Sequence, residues 1–261
     1  MKVLTVINNN KNYFFNLLRL SCALNNLELV VLVSNDNFRS RRVKDDLLSD
    51  YLEEENDDEI ILFTDGFDAL FIAKEEEILP KFYNIGKDLV FSAETGCWPD
   101  KDLAVQYPNE TSSSYKYLNS GGFIGKAGTI KELLKDNSFD LENFKNSNQY
   151  LWTKRYFKNM DTIALDTDCE IFCTFSPEVG DRFLPQNEDG NYYDYYTCMK
   201  KWFNSNFSIV KGRIFNKITN TWPCQAHFNG TSKYLIDDDI INMIYENIPD
   251  YKPVKFYYEE N

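Results

Sequence analysis

Short apolar runs alternate with amphipathic stretches through the first third of this chain, and that alternation constrains the fold more than any other feature. Val3 to Ile7 is a β-branched run, and Tyr13 to Leu24 follows with Phe14, Leu17, Leu18 and Cys22 at helical spacing. Leu27 to Val33 is a second apolar run. Val43 to Leu52 reads as an amphipathic helix that ends in an acidic loop, Glu53 to Glu59. Ile60 to Thr64 and Asp88 to Ala93 supply a third and a fourth strand. This βαβαβ order predicts an α/β fold with a mainly parallel, Rossmann-like sheet flanked by helices. Ligands of such sheets sit beyond the carboxyl ends of the strands.

The second half is less regular. Helices are expected over Thr129 to Leu134, Gln149 to Phe157 and Asp237 to Glu246, and short strands over Ile163 to Leu165 and Ile171 to Phe175. Phe207 to Val210 and Arg213 to Ile218 flank Lys211-Gly212, a hairpin signal. Trp222 to Phe228 reads as the last strand. With no internal repeat, no Pro/Gly-rich linker and 261 residues, one domain over 1–261 is expected.

Composition removes several function classes. The formal net charge of -13 argues against a nucleic-acid partner, whose phosphates need a Lys/Arg footprint. No apolar run approaches the roughly 18 residues of a spanning helix, so no membrane span is expected. Met1 to Val6 leads straight into Asn8, Asn9 and Asn10, with no secretory h-region, so a cytoplasmic location is favoured. Six cysteines form no CxxC pair, and with one histidine in the chain a zinc cluster is not expected. Cys169 and Cys173 would face the same side of a strand-like stretch. Aromatics reach 16%, which core packing accounts for.

Chemistry concentrates in Glu59-Ile-Ile-Leu-Phe-Thr-Asp65-Gly-Phe-Asp68. An apolar strand runs into two carboxylates three residues apart. Two hard oxygen ligands there suit Mg²⁺ or Mn²⁺; turn-forming or helix-capping aspartates read the same way. His227, the single histidine, ends a strand and precedes Phe228-Asn229-Gly230-Thr231-Ser232-Lys233. That segment offers backbone N–H groups, hydroxyls and a lysine to phosphate oxygens. An imidazole beside oxygen ligands points to Mn²⁺ over Ca²⁺. Asn119-Ser120-Gly121-Gly122 reads as a loop whose backbone approaches a ligand closely, or as a plain turn. Glu94 to Asp100 places Trp98 at an expected cleft mouth, or pins a loop by burying it.

Taken together, Phe63-Thr-Asp65-Gly-Phe-Asp68, Phe91-Ser-Ala-Glu94 with Cys97-Trp98-Pro99, and Tyr117-Leu-Asn119-Ser-Gly-Gly-Phe-Ile-Gly125 resemble the glycosyltransferase domain of procollagen lysyl hydroxylases. The collagen galactosyltransferases are relatives. The resemblance runs from the first strand to about Lys233 and implies a GT-A glycosyltransferase fold. It implies a metal site of Asp65, Asp68 and His227 holding Mn²⁺, with a UDP-sugar as donor. It places Val6 and Asn8 against the nucleotide and Phe67 at the position of a uridine-stacking tyrosine. Arg42 falls where the family has a lysine near the donor. Asn229, Gly230 and Lys233 match a diphosphate-binding turn, and Asn119, Ser120 and Gly121 the Asn-Ser-Gly segment near the donor. Trp98, Asn148, Gln149 and Asp166 match positions nearest the transfer chemistry.

One departure stands out. The family carries a run of aspartates ending in Asp-Gln where this chain has Asn146-Ser147-Asn148-Gln149. Asparagine still hydrogen-bonds a sugar hydroxyl but brings no negative charge to an oxocarbenium-like transition state. The iron- and 2-oxoglutarate-dependent domain of the hydroxylases needs two histidines and a carboxylate, which a chain with His227 alone does not supply. The implied reaction is glucose transfer from UDP-glucose to galactosylhydroxylysine of a collagen-like protein. Galactose transfer to hydroxylysine, or UDP-sugar binding with weak catalysis, are the alternatives. A homodimer is left open.

Overall fold

The structure, a computed structural model, describes residues 1–35, 40–136, 138–139, 144–175, 195–245 and 255–258. Strands β1 (Lys2–Ile7), β2 (Leu29–Val33) and β3 (Ile60–Asp65) pair in parallel, separated by α1 (Tyr13–Leu24) and α2 (Val43–Leu52). Asn12 starts α1 by accepting from the Phe14 and Phe15 amides, which satisfies donors that a helix start leaves free. After β3 come β4 (Ala69–Phe71), α3 (Glu75–Ile85), β5 (Leu89–Glu94), β6 (Tyr117–Lys126), α4 (Ala127–Lys135), α5 (Asn148–Lys158) and β7 (Ile163–Asp166). The chain continues through β8 (Phe172–Thr174), α6 (Tyr195–Asn206), β9 (Phe207–Val210), β10 (Arg213–Asn216), β11 (Gln225–His227), α7 (Asp238–Tyr245) and β12 (Lys255–Tyr258).

The main sheet has the order β12-β2-β1-β3-β6-β5-β7. All its pairings are parallel except those of β6, which runs antiparallel to both β3 and β5. The expected mainly parallel sheet flanked by helices is therefore present, with the interior strand β6 reversed.

Both faces of the sheet are covered, which is why its strands read as continuous apolar runs. Alternate residues of β3 go to opposite cores: Ile61 and Phe63 join Leu4, Phe91, Phe123 and Trp152, while Ile60 and Leu62 join Val3, Phe15, Phe82 and Val90. On the first face Phe63 stacks on Phe123 at 4.9 Å between ring centres. A buried polar tie crosses the same core. Trp152 Nε1 donates to Asp45 Oδ1 at 3.0 Å, linking α5 to α2. Burial pushes the Asp45 carboxyl up to about 6, against the pull of Arg155 and of the Trp152 hydrogen bond.

A second, three-stranded sheet, β4-β11-β8, stands beside the first with a core of its own that includes Leu70, Phe175, Phe203 and Phe228. The β9–β10 hairpin turns at Lys211 and Gly212, both with positive φ (49° and 71°), as the hairpin signal required. Three sequence expectations change here. The last ladder strand of the second sheet is confined to Gln225–His227, because Pro223 cannot donate to a ladder. A further strand, β12, closes the edge of the main sheet. Cys169 lies outside β8 with φ 52°, so strand alternation does not relate it to Cys173, although both are buried. The expected helix to Glu246 is described as far as Tyr245. Among the described residues no helix is long and apolar enough to cross a membrane.

Candidate metal centre and its surroundings

β3 delivers Asp65 at its carboxyl end, level with Val6 of β1. The chain turns at once through Gly66. A Cβ there would stand 2.6 Å from Ile7 Cγ2, so a side chain does not fit. The turn returns the chain into β4, which pairs antiparallel with β11 so that Ala69 faces His227. The Phe228 amide then donates to the Asp68 carbonyl at 2.7 Å. Two strands that meet across this ladder thus bring Asp68 and His227 together from 159 positions apart in sequence.

The result is a compact cluster. One ligand atom each from Asp65, Asp68 and His227 lie within 4.8 Å of one another. His227 Nε2 is 3.3 Å from Asp68 Oδ1 and 4.0 Å from Asp65 Oδ2. His227 is 1% exposed, yet neither ring nitrogen has an aligned hydrogen-bond partner. Buried polar atoms without partners are costly and call for a ligand. Two hard carboxylates and an orphaned imidazole fit a divalent cation that accepts oxygen and nitrogen. The electrostatics agree. Burial would raise the Asp68 carboxyl, but His227 and Lys233 outweigh it and hold it at about 2. Burial disfavours a charged His227, but Asp68, Asp65 and Glu94 raise its pKa above the ordinary value.

The Asn119–Gly122 segment is neither a loop nor a turn. It lies inside β6, where the register against β5 shifts: Phe91 pairs with Phe123, but Ser92 pairs with Asn119. Ser120, Gly121 and Gly122 therefore bulge out of the β5 ladder, a device that re-aims residues beside sites. Gly121 lies against the imidazole. A Cβ on it would come within 2.2 Å of His227 Cε1. The glycine of this motif makes room for the His227 ring, a candidate metal ligand from another sheet.

Behind the cluster sits a polar network centred on Glu94, a residue to which the sequence reading gave no role. Glu94, the last residue of β5, accepts from Gln149 Nε2 at 2.7 Å and from Asn229 Nδ2 at 3.0 Å. Burial pushes its carboxyl up to about 7, against the hydrogen bonds of Gln149 and Asn119, the His227 charge and the hydrogen bond of Asn229. Gln149 also donates to the Trp98 carbonyl at 2.9 Å and accepts from the Ser120 amide at 3.3 Å. Lys44 is the second unforeseen member: its Nζ lies 2.5 Å from Asp65 Oδ1.

The remaining candidates divide. Lys233 Nζ reaches Asp68 Oδ2 at 3.1 Å. Gly230 has φ 61° with open space where a Cβ would be, and Asn229 Oδ1 is buried without a partner. Val6 is buried in β1, Asn8 follows its end, and Phe67 is half-buried against the core that contains Ile7 and Phe15. Arg42 is half-buried at the start of α2, and the cation that meets Asp65 is Lys44, two residues further on. Trp98 is 56% exposed, so no burial pins its loop. Ser147 caps α5 by accepting from the Tyr150 amide, and Asn148 is buried beside it. Asp166 is placed differently. Both its oxygens accept backbone N–H groups, from Glu170, Ile171 and Phe172, so its carboxylate holds the turn into β8.

These features define an α/β domain with a candidate divalent-metal centre beyond its strand ends. A family model described as the PLOD GT domain matches residues 1–248, and the chain belongs to that family of glycosyltransferase domains. An uncharacterized protein of Acanthamoeba polyphaga mimivirus is 33% identical over 71% of this chain and 34% of its own length. The multifunctional procollagen lysine hydroxylase and glycosyltransferase LH3 of Homo sapiens is 38% identical over 69% of this chain and 21% of its own length. The match thus spans about a third of the first relative and about a fifth of the second. A solved glycosyltransferase involved in glycosylation of the major capsid of PBCV-1 is similar over 94% of this chain and 98% of that one, at 8% identity and a TM-score of 0.48.

Proposed function

We propose that this chain is a Mn²⁺-dependent glycosyltransferase that moves glucose from UDP-glucose to galactosylhydroxylysine of a collagen-like protein. The observation that carries the metal-dependent reading is the Asp65–Asp68–His227 cluster, whose buried imidazole has no aligned hydrogen bond, in a chain of this family. Glucose and the collagen-like acceptor rest on the motif resemblance and on what the name of LH3 says of that protein.

Asp65, Asp68 and His227 would hold the cation. When bound, it supplies Lewis-acid stabilisation of the charge that develops on the departing diphosphate. Lys233, with the Asn229 and Gly230 amides, adds fixed positive character on the same side. Val6, Asn8 and Phe67 border the nucleotide, and Arg42 approaches it from α2. Asn119, Ser120 and Gly121 form the floor, and Trp98 covers the opening. Glu94 orients Gln149 and Asn229 through two hydrogen bonds. In its ionised form it also places a negative charge where the sugar carbon becomes positive.

A screen of UDP-sugars for hydrolysis and transfer, with and without EDTA, tests this reading. Mn²⁺-dependent consumption of UDP-glucose with a glycosylated collagen-like acceptor is the expected result. Full activity in excess EDTA would falsify the metal role, and a preference for UDP-galactose would move the chain to the galactosyltransferase alternative. Asn148 favours one second reading. It is buried and neutral where the family carries an acidic residue, which suits a UDP-sugar-binding module of weak catalysis. Mn²⁺-dependent UDP binding without transfer to any collagen acceptor would support that reading.

A further inference from the structure

Asp65 and Asp68 each divide their oxygens between two sides. Asp65 turns Oδ2 towards His227, at 4.0 Å, and Oδ1 onto Lys44, at 2.5 Å. Asp68 turns Oδ1 towards His227, at 3.3 Å, and Oδ2 onto Lys233, at 3.1 Å. The inward oxygens and the imidazole share one space, the space a cation would take. Each outward oxygen carries an ammonium. Lys44 is not a loose surface group, since its side chain is 15% exposed against 38% for Lys233. Its helix is also fixed: the next residue, Asp45, receives the Trp152 hydrogen bond, and the Arg41 amide donates to the Asn146 carbonyl at 3.1 Å.

The charges of this set cancel. Two carboxylates and two ammonium groups sum to zero, with His227 neutral as a ligand. A bare divalent cation would leave an excess of two positive charges in a half-buried site, which is unfavourable. A nucleotide diphosphate arriving with the cation removes that excess.

Resting on the UDP-sugar reading above, we propose that Lys44 makes cation binding depend on the nucleotide diphosphate. Its ammonium on Asp65 weakens the site for the bare ion and strengthens the positive field that the diphosphate meets. Lys233 shares the charge balance, but it belongs to the turn that follows β11. Lys44 acts on the other aspartate, from the first turn of α2. It is a positioning residue that works through Asp65.

The test is a Mn²⁺ titration followed by electron paramagnetic resonance, with and without UDP, on the full chain and on Lys44→Met and Lys44→Arg. In Lys44→Met, bare Mn²⁺ should bind on the order of tenfold more tightly, the worth of one neighbouring like charge. The tightening of Mn²⁺ by UDP should shrink by a comparable factor. Lys44→Arg keeps the charge and should keep both values. Lys44→Gln serves as a second neutral variant if Lys44→Met does not fold, with the same tightening expected. Unchanged bare-Mn²⁺ affinity in the neutral variants, with UDP coupling intact, overturns the role of Lys44 and leaves the donor reading standing. No Mn²⁺ binding to the unsubstituted chain, with or without UDP, overturns both.

Discussion

The Asp65–Asp68–His227 cluster and the Glu94–Gln149 network border one site but are positioned by different means. The first is set by backbone. Asp65 ends a buried strand, Asp68 and His227 meet across a ladder, and Gly121 clears the space for the ring. The second is set by side chains. Neutral amides from α5 and from the turn after β11 converge on one buried carboxyl, and Ser147 fixes where α5 begins. Backbone placement leaves few acceptable substitutions. Side-chain placement tolerates exchange of one polar group for another, and there the motif resemblance implies aspartates where this chain has Ser147 and Asn148. Ser caps a helix about as well as Asp, so the departure at Ser147 keeps the geometry and loses only charge.

Substitutions can break this contrast or sharpen it. Asp68→Ala should have the largest effect, a loss of transfer of about 1,000-fold or more, together with Mn²⁺ affinity measured by titration. Glu94→Gln should lower the transfer rate by roughly 100-fold and weaken Mn²⁺·UDP affinity by much less, since one of its two accepted hydrogen bonds, from Gln149 or Asn229, is lost. The unsubstituted chain should gain activity as pH rises through about 7, where Glu94 ionises, and the variant should lose that inflection. The sign for stability is the opposite. Between the ordinary value of 4.5 and about 7 the folded chain keeps a proton that the unfolded chain releases. Stability should therefore fall with rising pH across that window, by at most about 1.4 kcal/mol per unit. Chemical denaturation at several pH values should show this slope, and Glu94→Gln should remove it.

Gly121→Ala forces its methyl group onto His227, so Mn²⁺·UDP affinity should drop roughly 10- to 100-fold. The same strain should cost about 1–3 kcal/mol of stability, read from a thermal or denaturant midpoint. Asn148→Asp is the smallest expected change, a rise in transfer rate of about three- to tenfold with nucleotide affinity unaffected. An unchanged rate would show that the missing charge does not limit this chain.

The candidate metal ligands were legible because each carries its chemistry in its residue type, and a strand end announces where the aspartates stand. β1, β2, β3 and β5, with α1 and α2, were legible because they are apolar on both faces or amphipathic. Other parts depend on distant partners. The Asn119–Gly122 motif looked like a loop because glycine and asparagine usually mark turns, whereas Gly121 answers to His227, 106 positions away. Glu94 gains its meaning from Asn229, 135 residues on, and Lys44 from Asp65, on the far side of an acidic loop. α3 was not read because it opens on Glu75, Glu76 and Glu77 and contains Pro80, signals that mask its apolar face. β4 is three residues long, too short for alternation to register. β12 is defined by its pairing with β2 rather than by pattern.

Crystals grown with Mn²⁺ and UDP, measured at the manganese absorption edge, test the central claim most directly. The account predicts one strong anomalous peak about 2.2 Å from Asp65, Asp68 and His227 Nε2, with the diphosphate on its open side near Lys233. A peak elsewhere, or an imidazole turned away from both aspartates, would contradict it.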